Sequence, residues 1–143
     1  MTPTNVAEAH LQVERLQVDR QHIFVVDGAP DFLDLVRALF EEEHYNVTTT
    51  NFVPRTFDQI AVTKPDLLIV DLVLGQVAGW ELLEQLHRGA ATLNIPVILS
   101  ATNPKLLDWA RADVERYGDA RTIVKPFDID DIIQTVLDLI GPA

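Results

Sequence analysis

The chain has 143 residues, 48% of them apolar and 23% charged, which is enough for one domain with a real core. Its formal charge of −11 argues against a surface that tracks a phosphate backbone, and the lack of cysteine removes both a disulfide framework and a thiolate zinc site. No stretch approaches the ~18 consecutive apolar residues of a membrane span, and residues 1–20 are too polar for a secretory signal, so the expectation is a cytoplasmic protein with no nucleic-acid or membrane partner.

Residues 1–20 read as an N-terminal extension to a domain over 21–143, with Leu11-Gln12-Val13-Glu14-Arg15 echoed by Leu16-Gln17-Val18-Asp19-Arg20. Their pattern fits a tail or short helix, with a self-association arm, and hence a homodimer, as the alternative. Ile23-Phe24-Val25-Val26 is an apolar strand ending in Asp27-Gly28. Pro30 can start a helix, since its missing amide would be unpaired there anyway. Phe32, Leu35, Val36, Leu39 and Phe40 continue at helical spacing to about residue 43. Asp31 and Asp34 fall in its first turns, where negative charge suits the helix dipole. Tyr45 to Thr50 is rich in β-branched residues and reads as a strand. Phe57, Ile60 and Ala61 mark a short helix.

Asp66-Leu67-Leu68-Ile69-Val70-Asp71 is the central segment. Four apolar residues without alternation indicate a strand buried on both faces, as in the middle of a parallel sheet. A loop bracketed by Gly75 and Gly79 follows, then a helix over about 77–88 carrying Trp80, Leu83 and Leu86. Ile95 to Leu99 is a strand closing on Ser100-Ala101-Thr102, with Pro96 admissible only at its start. Leu106, Leu107, Ala110 and Val114 suit a helix over about 103–117. Arg121 to Val124 is a strand running into Lys125-Pro126-Phe127. The last helix spans about 129–140, ended by Gly141-Pro142. Five strands alternating with five helices predict an α/β fold: a doubly wound parallel sheet covered on both faces.

Right-handed crossovers put the carboxyl ends of all strands on one sheet edge, and with them Asp27, Asp71, Ser100 and Lys125. Two carboxylates can hold a hard divalent cation; a hydroxyl and an ammonium can bind phosphoryl oxygens. Taken singly, each has a structural reading: a helix cap, a turn residue, a surface charge.

With these residues in place, roughly residues 21–140 resemble the receiver domain of two-component response regulators. The markers are Val25-Val26-Asp27, Lys64-Pro65-Asp66 leading to Asp71, Gly79, Pro96 to Ala101, and Lys125-Pro126-Phe127. The resemblance implies the flavodoxin-like receiver fold. It also implies phosphorelay signalling, with Asp71 accepting a phosphoryl group from a histidine kinase or phosphotransfer protein. Mg²⁺ would be held by Asp27, Asp71 and the backbone carbonyl of Val73, and Ser100 and Lys125 would contact the phosphoryl oxygens. Such a protein is no enzyme beyond self-dephosphorylation. With the chain ending at Ala143, a stand-alone receiver acting on an output protein is expected, through a face made by the fourth helix, fifth strand and fifth helix.

Four positions depart from the family pattern. Gly28 replaces the second acid of the usual pair, which weakens the expected metal site, with Asp31 a substitute ligand to consider. Gly75 stands where proline is common, Ala78 where Asp or Asn often stands, and Thr122 where an aromatic residue often reports phosphorylation. A pseudo-receiver that binds partners without phosphorylation is therefore the alternative. A haloacid-dehalogenase-like phosphohydrolase ranks last, because Ala29 occupies the place of its second acid.

Overall fold

The structure is a computed structural model, and it describes residues 20–114 and 120–143. The expected N-terminal extension and the far end of the fourth helix lie outside the described residues. In chain order the elements are β1 (His22–Val26), α1 (Pro30–Glu42), β2 (Asn46–Thr50), α2 (Thr56–Thr63), β3 (Leu67–Asp71), α3 (Ala78–Arg88), β4 (Val97–Ala101), α4 (Pro104–Val114), β5 (Ala120–Val124) and α5 (Ile129–Ile140). The strands form one parallel sheet in the order β2-β1-β3-β4-β5. The predicted doubly wound sheet is present, and the strand order reverses between β1 and β3, where such sheets open a crevice at their carboxyl ends.

Strand side chains alternate between two cores. Ile23, Val25, Leu67, Ile69 and Ile98 meet Val36 and Phe40 of α1 and Ile132 and Val136 of α5. Phe24, Val26, Leu68, Val70, Val97 and Leu99 meet α2, α3 and α4 through Ile60, Leu82, Leu83, Leu86, Leu106 and Leu107. This explains the unbroken apolar run in β3: neither of its faces reaches water. Each such side chain contributes about 1.5–3 kcal/mol by burial.

Two helix ends bear on the strands that follow. α1 ends without glycine: His44 adopts φ 71°, His44 N–H donates to Glu41 O, and Tyr45 N–H donates to Phe40 O. These are the paired bonds of a Schellman turn, with histidine in the left-handed position glycine usually takes. Tyr45, expected to open β2, instead completes this turn, and its hydroxyl donates to Gly141 O at 2.6 Å. Gln21 Nε2 donates to the carbonyls of Ile140 and Pro142 at 2.5 and 2.8 Å, so the end of α5 is tied to the start of the sheet.

Candidate functional site

Asp71 is the last residue of β3, and strand register pairs it with Ser100 of β4. Ser100 is fully buried and its Oγ donates to Asp71 Oδ1 at 3.2 Å. One strand back, Val26 pairs with Val70, so Asp27 leaves β1 beside Asp71. Lys125 directly follows β5, which lies two strands from β3. Its backbone N–H donates to Ala101 O at 2.8 Å, and its long side chain crosses β4. Lys125 Nζ lies 2.5 Å from Asp27 Oδ2 and 3.1 Å from Asp71 Oδ1. The four residues predicted to meet at the strand ends do meet. Asp27 also keeps its local role, since its Oδ1 accepts from Ala29 N–H at 2.9 Å at the entrance to α1.

The β3–α3 loop shapes the open side. Val73 O accepts from Gln76 N–H at 3.1 Å, and Gly75 has φ 79°. Positive φ at the third residue of a four-residue turn is the type II geometry, which proline cannot adopt. That accounts for Gly75 where proline was the expected residue. The Val73 carbonyl therefore spends one lone pair on the turn and keeps a second. Gly79 has a steric reason: a Cβ there would stand 2.8 Å from Asp71 O and 2.9 Å from Leu72 Cδ2. Only glycine lets α3 begin this close to the Asp71 backbone.

Asp31 does not join the acidic pair. It is exposed in the first turn of α1, and among the described residues no three His, Asp or Glu side chains gather as a metal site. The donors present, Asp27, Asp71 and one free lone pair on Val73 O, are all oxygen. They suit a hard cation that retains several waters.

One contact was not foreseen from the sequence. Lys125 Nζ sits 3.9 Å from the centroid of the Phe32 ring. Phe32 meets Phe127 edge to face, with centroids 5.8 Å apart and planes at 81°. In the sequence Phe32 is one member of a helical apolar stripe, and no spacing rule distinguishes a ring that faces an ammonium.

Strand-end carboxylates bridged by a lysine, with a hydroxyl on the same oxygen, sit on a 2-1-3-4-5 sheet. Residues 23–137 match the response regulator receiver domain. The chain belongs to that family. It is 27% identical over 119 residues to protein PilH of Pseudomonas aeruginosa, covering 80% of this chain and 93% of PilH. It is 26% identical over 109 residues to the heme response regulator HssR of Staphylococcus saprophyticus, covering 76% of this chain but only 46% of HssR. The receiver thus spans about half of that relative and nearly all of the other. In fold it is similar to the receiver domain of the sensor histidine kinase PA1611 from Pseudomonas aeruginosa, with TM-score 0.66, 19% identity, and coverage of 85% of this chain and 98% of that one. Among the described residues of the receiver, no helix is long and apolar enough to cross a membrane.

Burial of Asp71, reinforced by the neighbouring charge of Asp27, pushes its carboxyl above the ordinary range, against the pull of Lys125 and Ser100. A carboxyl raised in the folded state favours folding when protonated, and that gain is lost as pH rises through the folded-state value. At neutral pH the ionised group therefore costs stability. The receiver carrying Asp71→Asn should melt above the parent at neutral pH, with the gap closing as pH falls through the raised value. Thermal melts over a pH series measure this. A variant that melts below the parent at neutral pH would show that the Lys125 pairing outweighs burial.

Proposed function

We propose that this receiver accepts a phosphoryl group on Asp71 from a phosphohistidine of a histidine kinase or phosphotransfer protein. The observation supporting this most directly is the convergence of Ser100 Oγ and Lys125 Nζ on one oxygen of Asp71. An Asp71 oxygen attacks phosphorus as the phosphorus–nitrogen bond breaks; the donor imidazole, already protonated on its other ring nitrogen, keeps the bonding pair and leaves neutral, with an acyl phosphate formed on Asp71. Such transfer asks for alignment and charge neutralisation more than covalent chemistry from the protein. Ser100 donates a hydrogen bond to a phosphoryl oxygen, and Lys125 places an ammonium against the developing charge. Asp27, Asp71 and the Val73 carbonyl would hold Mg²⁺, which supplies further neutralisation of the phosphoryl oxygens when bound. Output would pass through a protein-binding face on α4, β5 and α5, where Trp109, Val124 and Ile129 remain exposed.

Incubation with Mg²⁺ and acetyl phosphate, read by intact mass, tests the assignment. The parent should gain one phosphoryl group and Asp71→Asn none. Label persisting in the variant would place the acceptor elsewhere. A parent that takes no label favours the second reading, a pseudo-receiver with constant partner binding. Its support is the missing second acid at Gly28 and the two-carboxylate donor set.

A further inference from the structure

We propose that Phe32 is a positioning residue for Lys125, holding the ammonium over the acidic pair through the face of its ring. The kinetic part of this inference rests on the reading of Asp71 as phosphoacceptor. Lysine is a compact charge on a flexible four-carbon stem, and an ammonium used at a fixed point needs its position defined. Carboxylates define two sides: Asp27 Oδ2 at 2.5 Å and Asp71 Oδ1 at 3.1 Å. The Phe32 ring defines the third, with Nζ 3.9 Å from its centroid. That distance lies well inside the ~6 Å over which a ring quadrupole attracts a cation.

The ring is itself held. Phe32 is half-buried on the first turns of α1, and the edge-to-face contact with Phe127 fixes its plane. Phe127 follows Lys125 by two residues, so the same loop supplies both the ammonium and the prop beneath the ring. The Lys125 side chain is 15% exposed, which leaves little water to screen the attraction. The arrangement also bears on what happens when Asp71 carries a phosphoryl group. Asp27 and Asp71 would then compete with new oxygens for the ammonium, whereas the ring does not change. Phe32 keeps Nζ in the crevice while its anionic partners exchange.

The test separates the ring face from the volume that it fills. Phe32→Leu keeps an apolar side chain without a π face; Phe32→Tyr and Phe32→Trp keep the face. With acetyl phosphate and Mg²⁺, Phe32→Leu should be phosphorylated about fivefold more slowly, the rate equivalent of a cation–π contact of about 1 kcal/mol. Phe32→Tyr should stay close to the parent rate. A Phe32→Leu rate equal to the parent overturns the proposal, and so does an equal loss in all three variants, which would mark simple packing. A second measurement does not depend on phosphorylation. In the phosphate-free protein the Lys125 Cε protons should show an upfield ring-current shift by NMR, lost in Phe32→Leu and kept in Phe32→Tyr. Unshifted protons in the parent overturn the placement. A parent with the shift that takes no phosphoryl group overturns the Asp71 reading and the kinetic role, and leaves the ring–ammonium contact standing.

Discussion

Lys125→Met should lower the stability of the metal-free protein by about 3 kcal/mol at neutral pH, as removal of one partner of a buried ion pair does. The reason is what stays behind. Asp27 is 2% exposed and Asp71 7%, and Lys125 is the cation that bridges them. Methionine keeps an apolar side chain of similar length at position 125, so the loss comes chiefly from the missing charge. Two buried carboxylates without the ammonium repel each other and cannot recover water. The sign with pH follows. Asp71 is already raised above the ordinary carboxylate range by burial and by Asp27, and removing Lys125 takes away an influence that lowers it. As pH falls, protonation of Asp71, already raised, removes the repulsion, so parent and variant should converge. Mg²⁺ should also narrow the gap, since a divalent cation between the carboxylates substitutes for the ammonium. Urea unfolding at a series of pH values, with and without Mg²⁺, measures both. A stability difference that does not change with pH would mean that the lysine acts through packing instead.

The parts of this site that could be read from the sequence are those fixed by topology. A strand buried on both faces must be almost wholly apolar, so Leu67 to Val70 declared itself, and the polar residue at its end was conspicuous. The rule that parallel strands end on one edge then gathered Asp27, Ser100 and Lys125 with Asp71, although 98 residues separate Asp27 from Lys125. The expected helices over 77–88 and 129–140 lie within a residue of α3 and α5, because Trp80, Leu83 and Leu86, and Ile132 and Val136, keep helical spacing. Boundaries shift by a residue where the main chain bonds into a turn or to the next strand. Tyr45 has strand-like chemistry but closes the Schellman turn after α1. Pro96 stands just before β4, its carbonyl accepting from Leu68 N–H at 3.0 Å. In the sequence Asp66 stands only as the lead-in to β3; in the structure its Oδ2 accepts from His22 N–H at 2.7 Å and ties the starts of β1 and β3 together. The Phe32–Lys125 contact was out of reach for a related reason. Periodicity says that a ring faces inward; it does not say what the ring meets.

Gly28, where the resemblance to receivers leads one to expect a second acid, has open space around it. Gly28 follows Asp27 at the mouth of the crevice, and an ideal Cβ built there meets nothing within 4 Å. Its φ lies outside the left-handed region, so an ordinary side chain fits its backbone. Gly28→Asp should therefore be accommodated sterically, with its consequences electrostatic. A third carboxylate beside Asp27 and Asp71 adds a hard oxygen ligand, and Mg²⁺ affinity should rise on the order of tenfold. Without metal the same charge crowds two buried carboxylates that share one lysine, so the variant should melt below the parent. Both effects have one cause, so they must appear together: the Mg²⁺-induced rise in melting temperature should be larger in Gly28→Asp than in the parent. Phosphorylation by acetyl phosphate should accelerate in the same variant. An equal Mg²⁺ response in the two proteins would mean that a side chain at position 28 points away from the acidic pair. No response in either would mean that Lys125 is the cation that balances Asp27 and Asp71 and that no metal joins it, which is the electrostatic state expected of a pseudo-receiver.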